Sequence, residues 1–161
     1  MDRIDLRILD IIQRDGRITN LELAEQIGLS PTATSERFRR LVKEGYVTGF
    51  AARLDPRKLG FGLLAFVEVS LDKTTPDAFS RFARAVNRAP QVLECHMVAG
   101  GFDYLVKVRL KDMNAYRRFL GEVLLSLPGV KETRTYAVME EVKEDAPLSL
   151  LRSVEPAGEA G

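Results

Sequence analysis

Tryptophan is absent from this chain, and cysteine and histidine occur once each, as Cys95 and His96. A lone cysteine excludes an internal disulfide framework and a multi-cysteine zinc site, and it suits a reducing compartment. Its apolar neighbours point to core packing. With no second histidine, a metal site has little to build on, and His96 reads as a hydrogen-bonded sheet residue without an assigned role. No apolar run approaches the ~18 residues of a membrane span, and the N-terminus has no signal-peptide pattern. The chain is therefore expected to be soluble, cytoplasmic and free of the membrane. An excess of one charge sign is also missing: the formal net charge is +1. Bulk electrostatics thus give no hint of a nucleic-acid partner, and any such argument must rest on local placement.

What is present is a chain of 161 residues with 45% apolar content, enough for two small cores. Ile4, Ile8, Leu9, Ile11 and Ile12 recur at near-helical spacing, with Asp2 and Asp5 available as caps and Gly16 as a stop. Thr19-Asn20-Leu21-Glu22 has the form of a capping box and opens a short second helix to about Ile27. Gly28 supplies a left-handed turn, and Ser30-Pro31 is an N-cap followed by proline at the first helical position. The third helix runs to Gly45, with Thr34, Phe38, Leu41 and Val42 as its buried face.

A helix, a glycine turn and a capped second helix form the layout that places one helix in the DNA major groove. The face opposite the buried stripe carries Thr32, Ser35, Glu36, Arg39 and Lys43, flanked by Arg37 and Arg40. Thr32, Ser35 and Arg39 are the residues expected at bases, and Arg40 and Lys43 those expected at phosphates. The open helix end at Ser30 is a further phosphate site. A charged helix face is often only solvated surface. Here, however, the first 45 residues hold eight Lys/Arg against eight Asp/Glu, and four of those cations fall between Arg37 and Lys43. One such unit contacts few phosphates, so tight binding to double-stranded DNA calls for at least two copies.

Beyond Tyr46–Leu54, read as a short strand pair or extended connector, Asp55-Pro56 opens a turn that closes near Gly60 and Gly62. The pattern then predicts a strand over 63–71, a helix over 76–89, strands over 92–99 and 104–110, a helix over 112–127 stopped by Pro128-Gly129, and a strand over 130–139. That βαββαβ order describes a ferredoxin-like α+β sandwich following the N-terminal helix-turn-helix. The expected division is 1–60 for the DNA-binding domain with its connector, 61–145 for the second domain, and 146–161 as a flexible tail.

The residues resemble the Lrp/AsnC (feast/famine) family of transcriptional regulators along nearly the whole chain, with a winged-helix-like N-terminal domain. The resemblance is carried by Leu6-Arg7-Ile8-Leu9, Asp15-Gly16-Arg17-Ile18, Gly28 to Thr32, Glu36-Arg37, Arg39-Arg40-Leu41 and Gly45. In the second half it is carried by Phe66-Val67-Glu68, Glu94-Cys95-His96, Phe102-Asp103-Tyr104, Ala115-Tyr116-Arg117, Leu127 to Val130, Thr133 to Tyr136 and Val138 to Lys143. The resemblance implies pairing through the second-domain sheet, assembly of four dimers into an octamer, a cytoplasmic, nucleoid-associated protein, and control by an amino acid, here leucine or another branched-chain one. No cofactor is implied.

The resemblance also places the effector pocket at a junction of subunits, around Gly100 to Tyr104. Gly100 and Gly101 let a ligand carboxylate approach backbone N–H groups, while Asp103 offers a charge-assisted bond to an α-ammonium. Asp103 reads equally well as a turn cap. Met97, Met113, Leu125, Tyr136 and Val138 match positions that line the apolar part of such a pocket, although ordinary core is the alternative for Met97, Leu125 and Val138. Where the family writes Gly-Asp-Phe-Asp, this chain has Gly100-Gly101-Phe102-Asp103, one acidic side chain fewer. Two other functions fit the same layout: an architectural DNA-wrapping protein with no ligand response, and an enzyme of the sirohaem decarboxylase type. Tetrapyrrole chemistry calls for several proton donors, and His96 alone argues for a non-enzyme.

Overall fold

The computed structural model describes residues 1–151. They form two compact units: Met1–Arg53 with the segment that starts at Lys143, and Leu54–Val142.

In the first unit, α1 (Arg3–Ile12) starts at a reciprocal box in which the Asp2 carboxylate accepts from Asp5 N–H and the Asp5 carboxylate accepts from Asp2 N–H, both at 2.9 Å. The helix α2 (Asn20–Ile27) opens on the Thr19/Glu22 box that its sequence predicts, and α3 (Pro31–Lys43) opens on the Ser30 hydroxyl accepting from Ala33 N–H. Such caps satisfy N–H groups that a helix cannot satisfy internally. Ile8, Ile12, Leu23, Ile27 and Leu41 are buried together, with Phe38 and Val47 packed on them. Each fully buried side chain of this kind contributes about 1.5–3 kcal/mol. Val42, expected in this face, is 42% exposed. At about 100° per residue it lies about 80° away from Thr34 around the helix, whereas Leu41 lies within about 20°.

Gly28 closes α2 at φ 80°, ψ 37°, and its N–H donates to Ala24 C=O at 2.9 Å. A Cβ there meets nothing within 4 Å, so alanine is opposed by backbone conformation alone. We expect Gly28→Ala to cost about 1–2 kcal/mol in denaturant unfolding, and Gly28→Asn less, because asparagine tolerates the left-handed region.

After α3 the chain runs to Arg53 without a strand, which resolves the Tyr46–Leu54 segment as an extended connector. Residues 146–151, expected to form part of a flexible tail, instead join the first unit. The Gln13 side chain, at the end of α1, grips the backbone of Leu148 twice, donating from Nε2 to its C=O at 2.8 Å and accepting its N–H at 2.9 Å. Pro147, Leu148 and Leu150 line a cleft with Leu6, Leu9 and residues 46–53. The remainder of the expected tail, 152–161, lies outside the described residues.

In the second unit, β1 (Leu63–Leu71), α4 (Pro76–Val86), β2 (Val92–Met97), β3 (Tyr104–Leu110), α5 (Met113–Glu122) and β4 (Val130–Ala137) follow the predicted βαββαβ order. The sheet is antiparallel, in the order β2-β3-β1-β4. Period-two alternation turns Ala65, Val67, Val69 and Leu71 of β1, and Tyr104, Val106, Val108 and Leu110 of β3, into one core with Phe82, Val86, Tyr116 and Phe119. Cys95 packs against that core, and burial pushes its thiol pKa up. The opposite face presents Phe66, Glu68, Ser70, Leu105 and Lys107.

The helix expected over 112–127 breaks. The α-helix ends at Glu122, its C-cap Val123 stands at φ −113°, ψ −65°, and a single 3-10 turn (Leu124–Ser126) follows. The boundary expected after residue 60 falls instead after Arg53, and the intervening connector is fastened to the second unit. Its Arg57 donates to Glu141 at 3.3 Å, and the same carboxylate is bonded by Arg109, which lowers its pKa more than Arg57 does.

Candidate functional site

The exposed side of α3 is what its helical angles dictate. Taking Thr34, fully buried, as the centre of the inner stripe, Thr32, Arg39 and Lys43 lie about 140–180° away and Ser35 about 100°. Thr32, Arg39 and Lys43 are exposed and Ser35 is half-buried. Asn20, at the start of α2, donates to Pro31 C=O at 2.8 Å and so ties the beginning of α3 to the helix before it. Among the described residues Arg39 and Lys43 take part in no ion pair, so their charges are available to a ligand.

Arg37 and Arg40 are differently placed: both are ion-paired within the first unit. Arg37 lies only about 60° from the buried stripe, on the side that meets α1. Its Nη1 donates to Asp2 at 2.6 Å and to Asp5 at 2.9 Å, and Arg40 Nη2 donates to Asp5 at 2.7 Å. Asp5 is 1% exposed. The Asp5 N–H first, and then the Arg37 guanidinium, hold the Asp2 carboxyl below its ordinary value; Arg37 is raised in turn by Asp2 and Asp5. Sequence reasoning missed these pairs because they join positions more than 30 apart, although the angle of Arg37 was readable.

In the second unit the Gly100-Gly101 turn is exposed, but Asp103 is already engaged. Its Oδ2 accepts Leu71 N–H at 2.7 Å, and its own N–H donates to Val69 C=O at 3.0 Å. The turn-capping reading therefore describes one of its oxygens. Tyr104, predicted to border the effector, is core: it is 5% exposed, with its ring 4.4 Å from that of Phe82. Desolvation raises its pKa. Met97, Met113, Leu125 and Tyr136 are all about half exposed, from 47% to 58%. Met97 ends one edge strand and Tyr136 lies on the other, so one protomer does not gather the apolar set. Val138 is half-buried, its N–H donating to Leu64 C=O.

Beside the turn, Gly101 and Phe102 border a cleft of about 370 Å³ completed by Glu68, Ser70, Glu132, Thr133 and Arg134. Strand register sets Glu68 opposite Arg134 and Ser70 opposite Glu132, which puts both signs of charge on one surface. Tyr136, foremost, and then the nearby Glu68 charge raise the Arg134 pKa, and the Tyr136 hydroxyl donates to Glu68 at 2.9 Å. These charged positions were not singled out beforehand. The signal was the period-two row Glu132, Arg134, Tyr136.

Residues 1–48 match the winged helix-turn-helix DNA-binding family, and residues 64–148 match the Lrp/AsnC ligand binding domain. The chain belongs to the Lrp/AsnC family. The leucine-responsive regulatory proteins of Escherichia coli (strain K12) and Salmonella typhimurium are 54% identical to it over 144 residues, 89% of this chain and 88% of theirs. A transcriptional regulator from Neisseria meningitidis, solved as an L-Met complex, superposes with a TM-score of 0.87 at 38% identity, over 94% of this chain and 99% of that one. An AsnC family regulator from Agrobacterium tumefaciens gives 0.88 at 29% identity, over 93% and 97%. This Lrp/AsnC chain is thus a DNA-binding transcriptional regulator with an attached amino-acid-binding domain. Among the described residues no helix is long and apolar enough to cross a membrane.

Proposed function

We propose that this regulator reads specific operators through α3 as a homo-oligomer, and that leucine or another branched-chain amino acid controls it from a site completed at a subunit junction. The carrying observation is the capped α3 with Thr32, Ser35, Arg39 and Lys43 on its outer side. Multiplicity follows from electrostatics: one helix offers too few phosphate contacts for tight binding at physiological salt, and linked copies multiply them. The sheet face bearing Phe66, Leu105 and Tyr136 supplies apolar area for a dimer, and four such dimers make the octamer. Its role is binding rather than catalysis, in the nucleoid of the cytoplasm.

For the effector, the cleft beside the Gly100-Gly101 turn offers Arg134 to a carboxylate, with Glu68 and Glu132 for an ammonium, which suits a zwitterion. Asp103 contributes its negative charge from the adjoining turn. Met97, Met113, Leu125 and Val138 provide apolar surface from neighbouring copies. Footprinting on promoter DNA with and without an amino-acid panel tests the whole reading, because a protected operator whose pattern changes with leucine supports it. A protected operator with calorimetric silence across the panel leaves an architectural DNA-wrapping protein instead.

Asp103→Asn separates its two possible tasks. The amide oxygen still accepts Leu71 N–H, while the charge is lost. We expect leucine to bind at least ~10-fold more weakly by calorimetry, with the unfolding midpoint little changed. Unaltered affinity would assign Asp103 to the turn alone.

A further inference from the structure

The most buried charge among the described residues, Asp5, lies on α1 and pairs with cations of α3. Its carboxylate accepts three bonds, from Asp2 N–H, Arg37 and Arg40, at 2.7–2.9 Å. Asp2 adds a second acceptor to Arg37 at 2.6 Å, and Glu44 stands 4.0 Å from Arg40 Nε. Two of the four cations between positions 37 and 43 are therefore answered by three carboxylates, whereas Arg39 and Lys43 face outward. A brace that merely joined α1 to α3 would work as well with apolar side chains. Ion pairing has a further effect, since it fixes which guanidiniums a polyanion meets.

We propose that Asp5 is a positioning residue for operator recognition, setting the roll of α3 about its own axis and withholding Arg37 and Arg40 from phosphates so that Thr32, Ser35, Arg39 and Lys43 form the reading face. The inference rests on the DNA-binding reading above. Its physical logic is one of specificity. Phosphate contacts are sequence-blind, and two unrestrained guanidiniums on the flank of α3 strengthen binding to every duplex alike. Held against α1, they leave discrimination to the residues that face base edges.

The test is salt-dependent binding of the full chain to two duplexes, the tightest one recovered by selection from a random library and a scrambled copy of it. In Asp5→Asn the acceptor for Asp2 N–H survives and the charge does not. Each guanidinium that finds a phosphate steepens the dependence of log K on log salt by about 0.9. The expected result, for a bound dimer that carries two copies of each released guanidinium, is a slope steeper by about two to four for the scrambled duplex, with several-fold tighter scrambled binding at low salt and about ten-fold weaker discrimination between the two. Parallel weakening on both duplexes at an unchanged slope would reduce Asp5 to a brace and overturn the proposal. Should Asp5→Asn fail to fold by circular dichroism, Arg40→Gln decides, because it leaves Asp5 paired with Arg37. A guanidinium already withheld from phosphates adds nothing to the salt dependence, so an unchanged slope on the scrambled duplex supports the clamp and a slope shallower by about 0.9 or more overturns it. Wild-type protein that binds neither duplex at 50 mM salt (about 20-fold below 1 M, where screening is strong) would remove the DNA-binding reading and this inference with it.

Discussion

Alanine at both Thr32 and Arg39 lowers discrimination between operator and random DNA by roughly 30- to 700-fold, while the oligomer and its fold persist. The figure follows from about 1–3 kcal/mol for a good side-chain contact to a base edge, taken for Arg39 with a smaller share for Thr32, or about 2–4 kcal/mol in all. Both side chains are exposed and outside the core of Ile8, Leu23 and Leu41, so truncation removes contacts to DNA without opening a cavity. Competition footprinting gives the ratio, and sedimentation confirms the assembly. An unchanged sequence preference in an intact oligomer would remove α3 from the role of reader.

The largest stability effect is expected in the other unit. Phe82→Ala deletes a side chain of zero exposure whose ring is 4.4 Å from that of Tyr104. Truncations of this kind cost about 3–5 kcal/mol, partly in lost transfer energy and partly in the cavity left behind. For a unit of this size the midpoint of thermal unfolding falls by roughly 12–40 °C. Leu93→Ala, at a 53% exposed position on β2, serves as the contrast and stays within about 0.5 kcal/mol. Scanning calorimetry measures both. A loss below about 1 kcal/mol for Phe82→Ala would mean that α4 does not seal the sheet there.

Much of the architecture was readable because its signals are local. The Asp2/Asp5 and Thr19/Glu22 boxes, Ser30-Pro31 and the left-handed Gly28 each act over three residues or fewer, and each appears where the chain predicts it. Alternation along 63–71 and 104–110 likewise fixes which side of the sheet is core. Features set by distant partners were not readable. The engagement of Arg37 and Arg40 depends on Asp5, more than 30 positions away, and the return of Leu148 to Gln13 spans 135 positions. The interruption at Val123 has no proline to announce it. For the effector, Met97 and Tyr136 fall on opposite edge strands of one sheet, and no local pattern announces that separation.

Because Gln13 holds Leu148, the polypeptide leaves its N-terminal unit at Arg53 and re-enters it from Lys143. In topological terms the 54–142 unit is an insertion within the first unit, and the end of the family's ligand-binding match, up to residue 148, packs with the first unit. Anyone grafting this head onto another sensor must therefore engineer two splice points, since a chimera joined after residue 53 alone would leave the side of α1 near Gln13 bare.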